Sequence, residues 1–238
     1  MRIPRKRCWT SARGLVLIGI CLGLCEFSQS TACIKDSSMS AQQSVVEWKL
    51  SILNDSLVPG ESKEGGPQTI DSPLGKAVHF DGVRDGIFLN TNPLENLSRF
   101  TVEIFFQPDG KAPHEQRFLH MGDARTERLL LETRVTDDDQ WCLDAFLRSG
   151  DSSRTLIDKN KLHPTGKWYH IAYVVDNGKM DVYVNGELEL NGKVDFSPMK
   201  AGRTSMGVRM NKVSWFKGAI YKVRVTPKCL PPAEFMKS

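Results

Sequence analysis

The sequence predicts an all-β fold, a two-sheet antiparallel sandwich or jelly roll. Two observations carry this prediction. Many short segments rich in β-branched and aromatic residues are separated by turns roughly every 8 to 12 residues, which is typical of such folds. Beyond the first 32 residues, no long segment shows the 3.6-residue period of an amphipathic helix. The aromatic residues in many of the segments fit two sheets that pack face to face.

The clearest segment spans residues 166–186. Two apolar runs, Trp168–Val175 and Met180–Val184, flank a turn sequence at 176–179 that contains Asn and Gly. Both residue types tolerate positive φ, so the turn predicts a β-hairpin. A second turn of this kind, Asn185-Gly186, leads into another strand. The segment is therefore predicted to be an antiparallel meander with one buried face.

Alternation or short apolar runs predict the other strands, and turn residues separate them. In chain order the predicted strands are Ser44–Ile52, Gly75–Phe80, Gly86–Leu89, Phe100–Gln107, Arg117–Met121, Leu129–Thr133, Trp141–Arg148, Thr155–Ile157, Ser205–Met210 and Ala219–Val225. The stretch Asn54–Pro73 is rich in Gly, Pro, Ser and charged residues, which predicts a long surface loop. The stretch Pro227–Phe235 is predicted to close the chain with one short helical turn.

Residues 1–32 have the order of a secretory signal peptide: a basic start, the uncharged apolar run Gly14–Leu24, and a small-x-small cleavage pattern at 30–32. A transmembrane anchor is the alternative, but the run is shorter than the ~20 residues that span a bilayer. Residues 33–43 are polar and predict a flexible spacer. Residues 44–235 then form one predicted domain, with no transmembrane span after signal removal.

The predicted signal peptide, residues 1–32 (the leader), also accounts for the net charge of the chain. It holds five Lys or Arg and one Glu, a net +4 that equals the +4 of the full 238-residue chain. The rest of the chain is formally neutral and has no excess positive charge to attract nucleic acid or an anionic membrane. We therefore expect a protein secreted or held in the cell envelope, extracellular or periplasmic, without a nucleic-acid partner.

Three of the six cysteines lie beyond the leader: Cys33, Cys142 and Cys229. Cys33 would begin the mature chain and is a candidate site of lipid attachment; simple signal cleavage is the alternative that the short apolar run favours. Cys142 and Cys229 are a candidate disulfide in an oxidising compartment, although sequence alone does not show that they are close. The spacing of a zinc site, such as C-x-x-C, is absent from the sequence.

Five segments agree in order and spacing with one family. They are VEWKL at 46–50, GKAVHFDGVRD at 75–85, FTVEIFFQP at 100–108, GKWYHIA through YVNG at 166–186, and KGAIYKVRV at 217–225 followed by Leu230. Together they resemble the laminin-G-like (LamG-type) domains of the concanavalin A-like jelly rolls, over residues 44–235. The resemblance implies the fold. It leaves the function open, because this family ranges from lectins and adhesion modules to accessory domains of glycosidases.

The resemblance also bears on calcium. Related domains often hold a structural ion with an acidic residue after the first strand and an Asp in the closing strand. Here Leu50-Ser51 and Tyr221-Lys222 stand at those places. Calcium takes at least about six oxygen ligands, so no ion is expected there and no cofactor is predicted. Calcium at another place is left open; three successive Asp at 137–139 point in different directions and predict a solvated turn.

Catalysis is not predicted. A glycosidase needs two carboxylates that flank the scissile bond, and the E-x-D-x-x-E string of catalytic relatives is absent from the sequence. Glu187 and Glu189 are i, i+2 on one predicted strand and share a face there, but an exposed hairpin is the plainer interpretation. His170 has no acidic orienter near it in sequence, so a structural, hydrogen-bonded role is expected. A divergent glycoside hydrolase remains the alternative.

Two tryptophans lie outside the family's framework segments. An exposed aromatic ring can stack against a sugar while neighbouring polar groups bind its hydroxyls. The candidate ligand-binding residues are therefore Trp141 with Asp137 and Asp139, and Trp215 with Asn211. The alternative is that both rings are half-buried sheet residues. The sequence thus predicts a non-catalytic module that binds a glycan or an extracellular or envelope protein partner at its loop rim, or a purely structural or adhesion domain.

Overall fold

The structure is a computed structural model and describes residues 44 to 237. The predictions for the leader 1–32, the spacer 33–43 and Cys33 lie outside the described residues. Within them the strands are β1 Val46–Lys49, β2 Ser62–Glu64, β3 Gln68–Ser72, β4 Gly75–Asp81, β5 Gly86–Leu89, β6 Arg99–Pro108, β7 Glu115–Gly122, β8 Arg128–Val135, β9 Gln140–Ser149, β10 Ser152–Ile157, β11 His163–Pro164, β12 Tyr169–Asp176, β13 Lys179–Val184, β14 Glu187–Lys193, β15 Arg203–Met206 and β16 Lys217–Thr226.

The strands form two antiparallel sheets that pack as a sandwich, which confirms the predicted fold class. Sheet 1 has the order β14-β13-β12-β6-β16-β4-β3, with β1 paired to β16. Sheet 2 has the order β10-β9-β8-β7-β15-β5-β2, with β11 paired to β9. Two short helices complete the described chain, α1 (Leu50–Asp55) and a 3₁₀ helix at Pro232–Glu234. No helix of residues 44–237 is long and apolar enough to span a membrane.

The core lies between the sheets and follows the two-residue period of the strands. In β12, Tyr169, Ile171 and Tyr173 belong to the core, and the residues between them point away from it. Across the layers, the ring of Phe106 in β6 stacks on that of Phe118 in β7 with centroids 4.3 Å apart. Face-to-face packing of the inward positions explains why so many strands carry aromatic residues.

The predicted meander is present as β12, β13 and β14. Asn177 and Gly178 have φ of 47° and 85°, and Asn185 and Gly186 have φ of 50° and 85°. These are the positive dihedrals that two-residue hairpin turns require. Pairing of Asp176 with Lys179 closes the first hairpin.

Two predictions near the amino terminus are wrong. The strand predicted at Ser44–Ile52 stops at Lys49, and α1 follows, with Leu50 and Asn54 buried on one side of a single helical turn. The loop predicted at Asn54–Pro73 contains the strands β2 and β3. These strands are mostly exposed and lie at sheet edges, so they gain order from backbone pairing with β5 and β4 and show no apolar alternation.

Candidate functional site

The predicted aromatic platform at Trp141 is not exposed. Its side chain is fully buried, and its ring lies edge-on to Phe106 with centroids 5.2 Å apart. The position follows from alternation, since Trp141 and Leu143 of β9 both point into the core. Trp141 is therefore a core residue, buried more deeply than the half-buried sheet position of the alternative interpretation.

The candidate disulfide is also corrected: Cys142 and Cys229 are free thiols. Cys142 lies between the inward residues Trp141 and Leu143, so it points out of sheet 2. Cys229 packs on a second apolar cluster beyond the outer face of sheet 1, where its Sγ lies 3.3 Å from the Val175 carbonyl. The two thiols thus lie on opposite sides of a sandwich whose sheets are about 10 Å apart, beyond the reach of a disulfide.

The two acidic candidates of the turn after β8 differ in environment. Asp137 is exposed. Asp139 has a φ of 56°, its Oδ1 accepts the Lys111 N–H at 2.6 Å, and its carbonyl accepts the Thr165 N–H at 3.0 Å. Asp139 therefore ties two neighbouring loops together, and the structure does not bring either Asp next to an exposed aromatic ring of the candidate set.

Trp215 and Asn211 lie on one loop, residues 207–216, between β15 and β16. Asn211 is exposed and Trp215 is half-buried. A Cβ at Gly86 would come within 3.3 Å of Trp215 Cζ3, so the ring packs against the β5 backbone. The same loop carries Arg209 and Ser214 to the outer face of sheet 2, a placement that no pattern in the sequence indicates.

Glu187 and Glu189, the two carboxylates considered for catalysis, do not lie on the same face of β14. Leu188 and Leu190 oppose consecutive residues of β13, so Glu189 is an extra residue in a β-bulge and the shared face with Glu187 is lost. Glu187 is exposed, whereas Glu189 Oε2 lies 2.8 Å from His163 Nε2. No group of three or more His, Cys, Asp or Glu in residues 44–237 could hold a metal ion.

His170 has an acidic partner after all, supplied by a different strand. Its Nε2 lies 3.1 Å from Oε1 of the fully buried Glu103 in β6. Glu103 also accepts from Arg224 Nε at 2.7 Å and from the Met236 N–H at 2.5 Å. Burial opposes ionisation of Glu103, but these hydrogen bonds outweigh it and lower the carboxyl pKa.

This network fills the floor of a groove of about 750 Å³ on the outer face of sheet 1, beneath the carboxy-terminal segment. The groove is lined by Phe105, Trp168, His170, Asn185 and Phe235, among others. At its floor the Glu103 carboxylate pairs with Arg224 and lies within hydrogen-bond distance of His170. These contacts give the buried polar groups beneath the groove a structural role.

The outer face of sheet 2 is different, because buried charges point outward from the middle of three adjacent strands. Arg117 of β7 pairs in register with Glu132 of β8, which pairs with Asp144 of β9. A second row pairs Glu115 with Arg134. The side chains of Glu132 and Asp144 are each only 4% exposed.

These five side chains form an ion network. Arg134 Nη2 lies 2.5 Å from Asp144 Oδ2 and 3.1 Å from Glu132 Oε2, and Arg117 Nη2 lies 3.2 Å from the same Glu132 oxygen. Glu115 at the margin pairs with both arginines. Arg117 also contacts Ser214 Oγ on the 207–216 loop. The network is therefore held by three strands and one loop.

In the ion network and on two arginines beside it, Arg128 and Arg209, some buried polar groups have no hydrogen-bond partner in the part of the chain that the structure describes. The Nε–H groups of Arg117, Arg128 and Arg209 and the Oδ1 of Asp144 are buried, yet none meets a hydrogen-bond partner among residues 44–237. A buried polar group without a partner costs about 1–3 kcal/mol, so such groups call for a functional explanation. These four groups belong to residues that line one cavity of about 180 Å³. Other buried atoms without a partner in the described chain, on Gln116, Thr133, Trp141, Tyr173 and Glu189, lie outside it. Its lining is Arg117, Arg128, Leu130, Glu132, Arg134, Asp144, Phe146, Thr155 and Arg209.

Several titratable groups in or near the cavity have pKa values shifted from their usual range. Burial, and next the negative charge of Asp144, raise the pKa of Glu132 to about 7. Burial likewise raises the pKa of Asp144, although Arg134 opposes the shift. Beside the network, burial lowers the pKa of His120 to about 4. Strongly shifted groups of this kind cluster at functional sites more often than elsewhere.

Part of this charged surface could be predicted from the sequence. In β8 the apolar residues Leu129, Leu131 and Val135 alternate with Leu130, Glu132 and Arg134, which predicts two outward charges in mid-strand. The strand register that aligns Arg117 with Glu132 and Asp144 depends on a bulge between Arg117 and Leu119, which no turn residue marks.

Fold and site together define a lectin-like jelly roll with a polar cavity on the outer face of one sheet. The chain belongs to the Laminin_G_3 family of the concanavalin A-like lectin/glucanases superfamily, whose model matches residues 81–235. A comparison with curated proteins gives no match.

Solved structures share the fold. Domain 4 of AbnA, a GH43 extracellular arabinanase from Geobacillus stearothermophilus, in complex with arabinotriose, is 20% identical with a TM-score of 0.55, over 81% of this chain and 97% of that domain. A SAP-like pentraxin from Limulus polyphemus is 16% identical with a TM-score of 0.52, over 66% and 77% of the two chains. The binding domain of botulinum neurotoxin DC in complex with SialylT is 13% identical with a TM-score of 0.54, over 73% of this chain and 44% of that one.

Proposed function

We propose that this protein is an exported, non-catalytic module that binds a glycan in the cavity on the outer face of sheet 2. The observation that carries the proposal is the set of buried, outward-facing charged groups with unused hydrogen-bonding capacity at Arg117, Arg128, Asp144 and Arg209. A sugar hydroxyl both donates and accepts, so it can satisfy an Arg Nε–H and the Asp144 Oδ1 together.

An apolar surface lies beside these groups. Phe146 and Leu130 are cross-strand neighbours that line the cavity, and the Phe146 ring is half-buried. A sugar presents an apolar ring face as well as hydroxyls, so a partly exposed aromatic ring among polar groups suits it. Structures of the same fold in complex with arabinotriose and SialylT support a carbohydrate ligand.

The rim candidates extend this site. Trp215 and Asn211 share a loop with Arg209, which lines the cavity, and Ser214, which contacts Arg117. We propose that a ligand longer than one sugar unit extends from the cavity along this loop. A protein partner at this rim, or an adhesion domain without a small-molecule site, is the alternative. A binding experiment separates them, because the alternatives predict no affinity for any carbohydrate.

Glycan binding to the purified protein on an array tests the proposal. Phe146→Ala and Asp144→Asn should each weaken binding of any glycan hit, and Leu188→Ala removes an exposed apolar side chain on β14 as a matched control. Trp215→Ala should weaken binding of longer glycans only. Loss with Trp215→Ala but none with Phe146→Ala and Asp144→Asn would move the site to the rim, and the absence of any carbohydrate hit would refute the proposal.

One observation favours a second candidate, a divergent glycoside hydrolase. Glu132 and Asp144 face each other across β8 and β9, and a carboxyl pKa of about 7 suits a general acid. Arg134 bridges the two carboxylates, which favours a binding role. Hydrolysis of a polysaccharide panel that is lost in Glu132→Gln would establish the enzyme.

We further propose that the protein is exported through its leader and acts outside the cell or in the envelope. Amino-terminal analysis of the exported product tests this, with a new terminus near residue 33 expected. A lipid on Cys33 would be detected by the mass of the terminal peptide. Retention of residues 1–32 would contradict export with cleavage.

A further inference from the structure

Two arginines that line the cavity lie outside the ion network. Arg128 and Arg209 both line the cavity, yet neither forms an ion pair with a carboxylate of the described chain. Arg128 Nη1 donates to the carbonyls of Arg125 and Thr126 at 2.8 Å, and Arg209 Nη2 donates to the carbonyl of Ala124 at 3.3 Å. Their buried Nε–H groups meet no acceptor within residues 44–237.

The positive charge of the cavity is not fully compensated. The cavity lining contains four arginines and two carboxylates, and Glu115 at its margin pairs with two of those arginines, which leaves a formal excess of one positive charge. Burial, and then the charges of Arg209 and Arg148, lower the pKa of Arg128, while Asp123 and Glu132 oppose the shift. Burial and Arg117 lower the pKa of Arg209. Cations are thus held near one another where a bound anion would relieve their repulsion.

Both arginines are held in place before any ligand arrives. The guanidinium of Arg128 lies over the Phe146 ring, 4.9 Å from its centroid. The backbone of Arg209 donates to the Val213 carbonyl at 3.3 Å, and the next residue, Met210, donates its N–H to His120 Nδ1 at 3.4 Å. A site that is already ordered loses little conformational entropy on binding.

We propose that Arg128 and Arg209 form a subsite for an oxyanion carried by a sugar, so that the glycan this module binds is acidic. This inference rests on the proposed glycan-binding function. A carboxylate or a sulfate ester presents two or more oxygens, which match the forked donors of arginine. The remaining network, Arg117, Arg134 and Asp144, is left to bind hydroxyls of the same sugar. A volume of about 180 Å³ is below the range of drug-sized pockets and suits one sugar unit.

Calorimetric titration of the exported protein with two matched probe sets tests the subsite. One set is dextran, carboxymethyl-dextran and dextran sulfate of one chain length; the other is a galacturonate oligomer and its methyl ester. The acidic members should bind at least about tenfold more tightly than their neutral counterparts, the scale of one charge-assisted hydrogen bond. The carboxymethyl and sulfate arms show which oxyanion is preferred.

Variants show which side chains cause the preference for acidic probes. Arg128→Gln and Arg209→Gln should each reduce the affinity for acidic probes about tenfold more than they reduce the affinity for the matched neutral glycans. Arg203→Gln removes the same charge from an exposed position and should change nothing. Both arginines are half-buried and donate to backbone carbonyls, so the thermal midpoint of each variant is measured alongside its affinity. A fall in midpoint with unchanged acidic binding would overturn the subsite.

The outcomes separate the two proposals. Neutral glycans that bind as tightly as acidic ones, with no effect of Arg128→Gln or Arg209→Gln, would overturn the oxyanion subsite and leave glycan binding intact. An equal loss of acidic binding in Arg203→Gln would show general attraction of polyanions and would also overturn it. The absence of binding to every carbohydrate would overturn both proposals.

Discussion

Glu132 and Asp144 face each other on adjacent strands of sheet 2, and Nη2 of one arginine, Arg134, bridges their carboxylates at 3.1 and 2.5 Å. Both side chains are buried on the outer face of a sheet, where a strand of this fold usually presents solvated residues. Replacing a buried ion network by apolar residues of similar volume is often neutral or stabilising, because the charges lose their hydration. We interpret this arrangement as a cost of maintaining a binding surface.

The first prediction concerns Glu132 and pH. Its pKa rises from 4.5 in the unfolded chain to about 7 in the folded protein, so between these values the folded state binds more protons. Its contribution to stability is therefore complete below pH 4.5 and is lost as the pH rises through about 7. Glu132→Gln keeps the shape and removes the titration, so its free energy of unfolding should increase relative to wild type as the pH rises.

Denaturant unfolding at intervals from pH 4.5 to pH 8 measures this difference. The slope of the difference can reach about 1.4 kcal/mol per pH unit, the value for one proton. Glu187→Gln, at an exposed position on β14, is the control and should give a flat difference. A flat profile for Glu132→Gln would show that Glu132 titrates normally.

The second prediction concerns His120, whose contribution to stability depends on pH in the opposite direction to that of Glu132. Its Nδ1 accepts the Met210 N–H at 3.4 Å, so Nε2 carries the proton that is donated to the Asp123 carbonyl at 3.0 Å. Burial lowers its pKa from 6.5 to about 4, and its contribution to stability is lost as the pH falls from 6.5 towards 4. In His120→Gln the free energy of unfolding should therefore fall less steeply than in wild type as the pH is lowered from 6.5 towards 4.

Imidazole chemical shifts recorded as a function of pH check the His120 assignment directly. The His120 signals should stay those of the neutral ring down to about pH 5, given a pKa of about 4. Protonation near pH 6.5 would contradict the buried, neutral assignment.

The third prediction tests the packing at the base of the 207–216 loop. Gly207 has a φ of +79°, and a Cβ there would lie 2.1 Å from Cδ1 of the core residue Phe80. Gly207→Ala should therefore reduce the free energy of unfolding by roughly 3 kcal/mol or more, through overpacking and backbone strain together. Gly150 also has a positive φ, +55°, but nothing lies within 4 Å of the point that a Cβ would occupy there. Gly150→Ala should cost only about 1 kcal/mol, and equal losses would contradict the steric account.

The fourth prediction concerns the network beneath the carboxy-terminal segment. Glu103→Gln leaves Arg224 partly buried without its carboxylate, which should cost about 3–5 kcal/mol in unfolding free energy. Glu234→Gln breaks the exposed pair with Lys228 and should cost less than about 1 kcal/mol. Hydrogen exchange at the Met236 amide, which donates to Glu103, should accelerate in Glu103→Gln only.

The fold could be read from the sequence because alternation and turn chemistry are local. The meander with Asn177-Gly178 and Asn185-Gly186 has the predicted hairpins, and the strands from β4 to β9 lie where apolar periodicity places them. The edge strands β2 and β3 could not be predicted, because they are mostly exposed and show no apolar alternation, and backbone pairing with β5 and β4 specifies them.

The site was harder to predict, because it depends on which faces and which strands meet. Trp141 follows three Asp residues in sequence, which suggests a sugar-binding site. The alternation of side chains along β9, however, points the Trp141 ring into the core. Arg117, Glu132 and Asp144 are far apart in sequence and become neighbours through strand register alone. Arg209 joins them from a loop that only the folded chain brings across sheet 2.

The most direct test of the central claim is an NMR titration of the arginine Nε–H signals with a bound glycan. The signals of Arg117, Arg128 and Arg209, whose Nε–H groups are buried without an acceptor in the described chain, should shift together as the ligand occupies the cavity. The signals of Arg99 and Arg224, whose Nε–H groups already donate to carboxylates near sheet 1, should not move. Shifts confined to Arg224 and the groove of sheet 1 would contradict a site on sheet 2.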